Sequence, residues 1–175
     1  MRTLRRSVLA DGGVASIPLT KGYEAEVDAG DILSLGGFSW RALIKTRTDG
    51  TIRAVYAARK ARAGEPGAVI LMHRAIIGAP DDLQVDHLDG NGLNNRRSNL
   101  RLATPEQNQW NRRRPVTNKS GVKGVYWNKA RRLWHARITV DGRRHHLGEF
   151  PNIDDAAAAY AAASGRLHGE FGRTA

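Results

Sequence analysis

An aspartate-histidine pair, Asp86-His87, opens the stretch VDHLDGNGLNNRRSNLRLATPEQNQWNRR at residues 85–113, and two asparagines follow the histidine, Asn99 twelve residues on and Asn108 twenty-one on. One imidazole, one carboxylate and two carboxamides, with arginines between and after them, suit the cutting of a phosphodiester with one divalent metal. That reaction needs a base for the attacking water, a cation at the leaving 3′-oxygen and a geometry that holds both. His87 is the one side chain of this group whose ordinary pKa suits a base near neutral pH. Asp86 and Asn108 offer carboxylate and carboxamide oxygens, an all-oxygen set that suits Mg²⁺ or Mn²⁺ rather than Zn²⁺. Asn99 can accept from the histidine ring or hold its backbone, and either would fix the productive tautomer. The competing reading is a turn rich in Asn and Asp for backbone reasons beside a surface histidine; the complete spacing outweighs it.

Turn and cap signals predict the elements that must position these groups. Gln84 to His87 reads as a strand, Asp89 to Asn95 as turn material and Asn99 to Ala103 as a second strand. Thr104-Pro105-Glu106-Gln107 then opens a helix, with Thr as N-cap, Pro at the first helical position and Gln closing a capping box. The result is a ββα unit. Neighbours on a strand point to opposite faces, so Asp86 and His87 converge only if the turn is distorted. Upstream, the apolar run from Val69 to Ile77 is expected to start a short helix that ends near Gly78-Ala79-Pro80. His73 in that run either approaches the site or is a hydrogen-bonded structural histidine, and the structural role is favoured.

Residues 1–69 read as short strands separated by Gly/Asp turns, with Asp49-Gly50 joining a hairpin. A scaffold or dimerisation role is favoured there over DNA contact. Residues 115–121 read as a linker. Beyond it, strands at 124–127, 134–140 and 143–150 precede an alanine-rich helix capped by Asn152, and Asp141-Gly142 is a type I′ hairpin signal.

The formal net charge of +11, with 28 Lys and Arg against 17 Asp and Glu, points to a polyanionic partner. Arginine dominates, and its planar fork suits phosphates and guanine edges, so double-stranded DNA bound in a salt-dependent way is the expected partner. The absence of cysteine excludes disulfides and thiolate zinc sites. No run of eighteen apolar residues occurs, and the apolar stretch near the N-terminus is too short for a signal peptide. A cytosolic or nucleoid location is therefore expected.

Asp86-His87-Leu88-Asp89-Gly90-Asn91, Asn94-Asn95-Arg96, Asn99-Leu100-Arg101 and Gln107-Asn108-Gln109-Trp110-Asn111 together resemble the HNH endonucleases of the phage and intron homing type. Met72-His73-Arg74-Ala75-Ile76 is similar to the segment that precedes the motif in that family. The resemblance covers residues 70–114. It implies a ββα-metal fold, single-metal DNA hydrolysis that is often one-strand nicking, and a bacteriophage or mobile-element origin. It also implies Asp86 and Asn108 as ligands of one Mg²⁺ or Mn²⁺, His87 as general base and Asn99 as its orienting residue. Asn108 stands where many members carry histidine; the asparagine form also occurs. Arg96, Arg97 and Arg101 are expected phosphate contacts, with a solvated charge run as the competing view.

Residues 122–175 are similar to the APETALA/ethylene-response-factor DNA-binding domain, through Val125-Tyr126-Trp127-Asn128, the run 133–140, Gly142-Arg143-Arg144-His145-His146 and the Asp-Ala-rich helix start. That family implies a three-stranded sheet in the major groove with a helix behind it. Alternation gives the same faces: Trp134, Ala136, Ile138 and Val140 toward the helix, and His135, Arg137 and Thr139 toward DNA. Arg144 and His146 extend the polar face. Lys123, Tyr126 and Asn128 are the first-strand candidates, and Arg131 and Arg132 are expected to grip phosphate.

The expected protein is thus an α+β chain with a small N-terminal antiparallel β region, a ββα-metal nuclease unit and a C-terminal three-stranded antiparallel sheet packed on one helix. Its expected activity is metal-dependent cleavage of DNA bound by the C-terminal sheet. The rival is a DNA-binding regulator whose nuclease-like unit is structural; an RNA-binding role is weaker, since no stacking-rich RNA module is visible. Monomer and dimer both remain open.

Overall fold

A computed structural model of the chain describes residues 8–10, 13–115 and 117–174. Most of the extreme N-terminus, read above for a signal peptide, and Val116 of the expected linker lie outside the described residues. The fold is the expected mixture of small antiparallel sheets and short helices. It divides into two compact units, one ending at Leu102 and one beginning at Ala103.

In the first unit, β1 (Val8–Ala10), β2 (Val14–Pro18) and β3 (Glu24–Asp28) form one antiparallel sheet in chain order. Strand alternation buries Ala15 and Ile17 on β2 and Ala25 and Val27 on β3. A 3-10 turn at Ala29–Asp31 leads into the short α1 (Ile32–Leu35). The hairpin of β4 (Arg41–Thr46) and β5 (Ile52–Lys60) turns through Gly50, whose φ of 81° suits glycine.

The helix expected from residue 69 begins later. Val69–Leu71 forms β6 on the edge of β5, pairing Leu71 with Ala58, and α2 is Met72–Ile77. β-branched Val69 and Ile70 suit that edge. Gly78 ends α2 in the left-handed region. β7 (Gln84–His87) and β8 (Leu100–Ala103) then pair as a two-stranded sheet.

One core serves this unit. Val27, Ala57, Met72, Ile76, Val85 and Leu100 all join it, so it runs through the boundary expected at residue 69. The physical reason is size. A two-stranded sheet and a six-residue helix bury too little apolar surface by themselves and need the earlier strands beneath them.

In the second unit, α3 (Pro105–Trp110) carries the capping box in full: the Thr104 hydroxyl accepts from Gln107 N and the Gln107 side chain accepts from Thr104 N. β9 (Val125–Asn128), β10 (Leu133–Val140) and β11 (Arg143–Phe150) form a sheet with β10 central. Asp141 and Gly142 both have positive φ, 50° and 69°, as a type I′ turn requires. α4 (Ile153–Leu167) is capped by Asn152 and packs Ala156, Tyr160 and Ala163 against Val125, Ala136 and Ile138. No helix among the described residues is long and apolar enough to cross a membrane.

Candidate active site

β7 carries Asp86 and His87, which are only 3% and 6% exposed. Alternation sends their side chains to opposite sides of the strand. On one side, Arg101 of β8 donates Nε and Nη2 to Asp86 Oδ2 at 2.9 and 2.8 Å. The guanidinium is itself nearly buried, so the expected phosphate contact at Arg101 is engaged inside the protein.

On the other side, His87 enters a ring cluster. Its imidazole meets His73 of α2 edge-on at 4.9 Å between centroids, and Tyr56 of β5 lies 5.6 Å from His73 and 6.0 Å from His87. Gly92 makes this cluster accessible to the loop after β7. A Cβ there would stand 2.5 Å from the Tyr56 ring and from Val55 O, so only glycine lets the loop lie so close to β5.

The ring of His87 is held below the ordinary imidazole pKa chiefly by burial, while Asn95 and the carboxylates of Asp89 and Asp86 oppose the shift. At neutral pH it is therefore the neutral, proton-accepting form. Asn95 is fully buried and donates its Nδ2 to Leu93 O at 3.0 Å.

Asn99 braces the backbone that leaves His87. Its carbonyl accepts from Leu88 N at 2.9 Å and its Oδ1 accepts from Asp89 N at 3.1 Å. Its Nδ2 donates to Asp89 Oδ1 and to Asn94 O. Burial pushes the Asp89 carboxyl up, yet bonds from Asn91, Asn94 and Asn99 outweigh it and leave the group below the usual carboxylate value. Asn108 stands on α3, half-buried, with its N donating to Thr104 O, and so belongs to the second unit.

His73 is 5% exposed, and its Nδ1 has no hydrogen-bond partner among the described residues. Burial first, then the neighbouring His87 and Arg74, lowers its pKa from 6.5 to about 3. The unfolded chain takes up this proton near 6.5 while the folded ring resists it down to about 3. The resulting stability is whole above pH 6.5 and gone once pH has fallen through about 3. We expect the thermal midpoint of wild type to fall across that window, and His73→Gln to fall less steeply, in melts recorded by circular dichroism. Parallel slopes would place the acid sensitivity elsewhere.

Arg96 and Arg97 also have carboxylate partners, Asp28 and Asp31. In the second unit, Tyr126, Arg137, Thr139, Arg144 and His146 lie exposed on the sheet face away from α4, and the Arg137 guanidinium sits 4.7 Å over the Tyr126 ring. A bulge at Leu147 sets His146 opposite Arg137 and keeps Arg144 opposite Thr139. His135 is buried between Tyr126 and His146. Arg131 is paired with Glu149, while Arg132 is exposed in the turn at positive φ. Asn128 Oδ1 accepts from Ala130 N and Arg131 N, and Lys123 Nζ donates to Trp110 O and Arg112 O. These last two candidates thus hold backbone.

Tyr56 and Asn95 stand beside His87 without any role that the sequence alone assigns to them. The paired asparagines before Arg96 were the only signal for Asn95, and nothing local marks Tyr56, which reaches His87 from another strand.

Residues 71–110 match the family described as HNH endonuclease. Protein 3.8 of Escherichia phage T7 is 39% identical over 54% of this chain and 77% of its own length. An uncharacterized HNH endonuclease of Acanthamoeba polyphaga mimivirus is 40% identical over 53% of this chain, which spans just under half of that relative, 46%. No solved structure matches the chain. With Asp86, His87, Asn99 and Asn108 all inside the matched segment, the chain belongs to the HNH endonuclease family, and that membership implies a nuclease acting on DNA.

Proposed function

We propose that the protein is a divalent-metal-dependent DNA endonuclease that nicks or cuts duplex held by its C-terminal sheet. The observation that carries this reading is the buried, neutral His87 on β7, with Asn99 bracing the two peptides that follow it. In this reading His87 takes the proton of the attacking water, and Asn99 fixes the imidazole through Leu88 and Asp89. By motif position, Asp86 and Asn108 would hold the cation.

The donor chemistry fits a hard, hydrated cation, since carboxylate and carboxamide oxygens prefer Mg²⁺ or Mn²⁺. No group of three His, Cys, Asp or Glu side chains forms a metal cage among the described residues, and water would complete the shell. When bound, such an ion supplies Lewis-acid stabilisation of the oxygen leaving phosphorus. Arg101 remains on Asp86 Oδ2 and fixes the orientation of that carboxylate.

The C-terminal sheet is read as the duplex-binding module because Arg137, Thr139, Arg144 and His146 share one exposed face with Tyr126. A tethered binding module raises the effective concentration of the cutting unit at DNA.

A second reading, a DNA-binding regulator with a structural HNH unit, draws on Arg101, which already neutralises Asp86. Supercoiled plasmid with Mg²⁺ separates the two. Open-circle or linear product supports the nuclease; a shifted but uncut plasmid supports the regulator. A thermal melt adds a readout free of activity. Mg²⁺ or Mn²⁺ at 100 times its Kd should stabilise wild type by about 2.7 kcal/mol, and Asp86→Ala should abolish the shift.

A further inference from the structure

Asp28 and Asp31 lie far from the motif in sequence, at the end of β3 and in the turn after it, yet both carboxylates are directed at its loop. Asp28 accepts from Arg96 Nε at 3.2 Å and from the backbone N of Arg97 at 2.8 Å. Asp31, itself nearly buried, takes Arg97 in a bidentate fork at 3.1 and 2.7 Å. The backbone of β3 adds its own grip. Glu26 N donates to Leu93 O at 2.9 Å, and Asn95 N donates to Glu26 O at 2.7 Å. A parallel bridge between Glu26 and Asn94 results.

What this loop carries gives the grip its meaning. Asn95 lies beside the His87 ring, and Asn99 holds Leu88 and Asp89. A shift of residues 93–97 therefore moves both supports of the imidazole.

We propose that Asp28 and Asp31 are positioning residues of the nuclease. They clamp Arg96 and Arg97, and through them hold the 93–99 loop where it fixes His87. This rests on His87 being the base. It also assigns the two arginines to the protein and not to phosphate. The Arg97 side chain is 55% exposed, so solvent screens its ion pair and the clamp acts on geometry more than on global stability.

The test uses the full chain with Asp28→Asn/Asp31→Asn and the charge exchange Asp31→Arg/Arg97→Asp. Nicking of supercoiled plasmid, the salt dependence of DNA binding and amide hydrogen exchange at Leu88 and Asp89 are measured. The double neutralisation should lower kcat about 10- to 100-fold, leave KM and the salt slope unchanged and speed exchange at both amides. The charge exchange should recover most of kcat. Wild-type kcat and exchange in the neutralised variant would overturn the proposal. So would a loss confined to KM and the salt slope, since the arginines would then be phosphate contacts. If wild type does not nick at all, the nuclease reading fails, and hydrogen exchange alone decides the clamp: unchanged rates at Leu88 and Asp89 sink it.

Discussion

His87→Ala should reduce plasmid nicking by about 10²- to 10⁴-fold, the usual contribution of a positioned general base, while DNA binding measured by gel shift stays near wild type. The expectation follows from placement and protonation together. The ring is buried beside His73 and Tyr56, which leaves it neutral and able to accept a proton. Its pKa is lowered, so wild-type activity should persist below the ordinary histidine value and fail only as pH drops through the lowered one. Removing the ring removes the proposed base but none of the exposed basic face of the second unit. An alanine protein that nicks as fast as wild type would end the assignment of His87. An acid limb at or above pH 6.5 would show instead that the burial seen here does not govern the reacting state.

The second large effect concerns Gly124, which precedes β9. Its φ is 74°, and a Cβ there would land inside the Tyr160 ring contact and 2.5 Å from Arg137 O. Tyr160 is buried against the sheet and Arg137 N is bonded to Gly124 O, so neither neighbour can yield easily. Gly124→Ala should therefore combine overpacking of about 1–3 kcal/mol with a left-handed penalty of about 1–2 kcal/mol. For a domain of this size each kcal/mol lowers the midpoint by roughly 4–8 °C, which predicts a fall of at least ~8 °C for the second unit.

Gly121→Ala isolates the cause. Gly121 has a φ of 80° and nothing within 4 Å, so alanine there carries the backbone penalty alone. Calorimetry of both variants checks the difference. Equal midpoints would mean that the Tyr160 contact relaxes, and that α4 is less firmly packed than its buried face indicates.

Local signals made much of this protein legible. The Thr104 capping box, the Asp141-Gly142 turn, the Asn152 cap and the faces of β10 were all readable from a few adjacent residues. Each depends on backbone preference and nearest-neighbour hydrogen bonds, which a window of sequence contains. Val69–Leu71 read as helix because a short apolar run has no period of its own; the free edge of β5 made it a strand.

Sequence by itself thus determined the chemical equipment, a histidine, a carboxylate and carboxamides at the spacing of an HNH motif, and the local elements that carry them. Only the tertiary structure decided their surroundings. It put Tyr56 and His73 against the His87 ring, gave Asp86 to Arg101, and closed Asp28 and Asp31 over arginines 66 to 69 residues away. Those partners are chosen by a core shared among β3, β5, α2, β7 and β8. Which polar groups are buried together, and so which protons are held or lost, depends on that packing and on no local pattern.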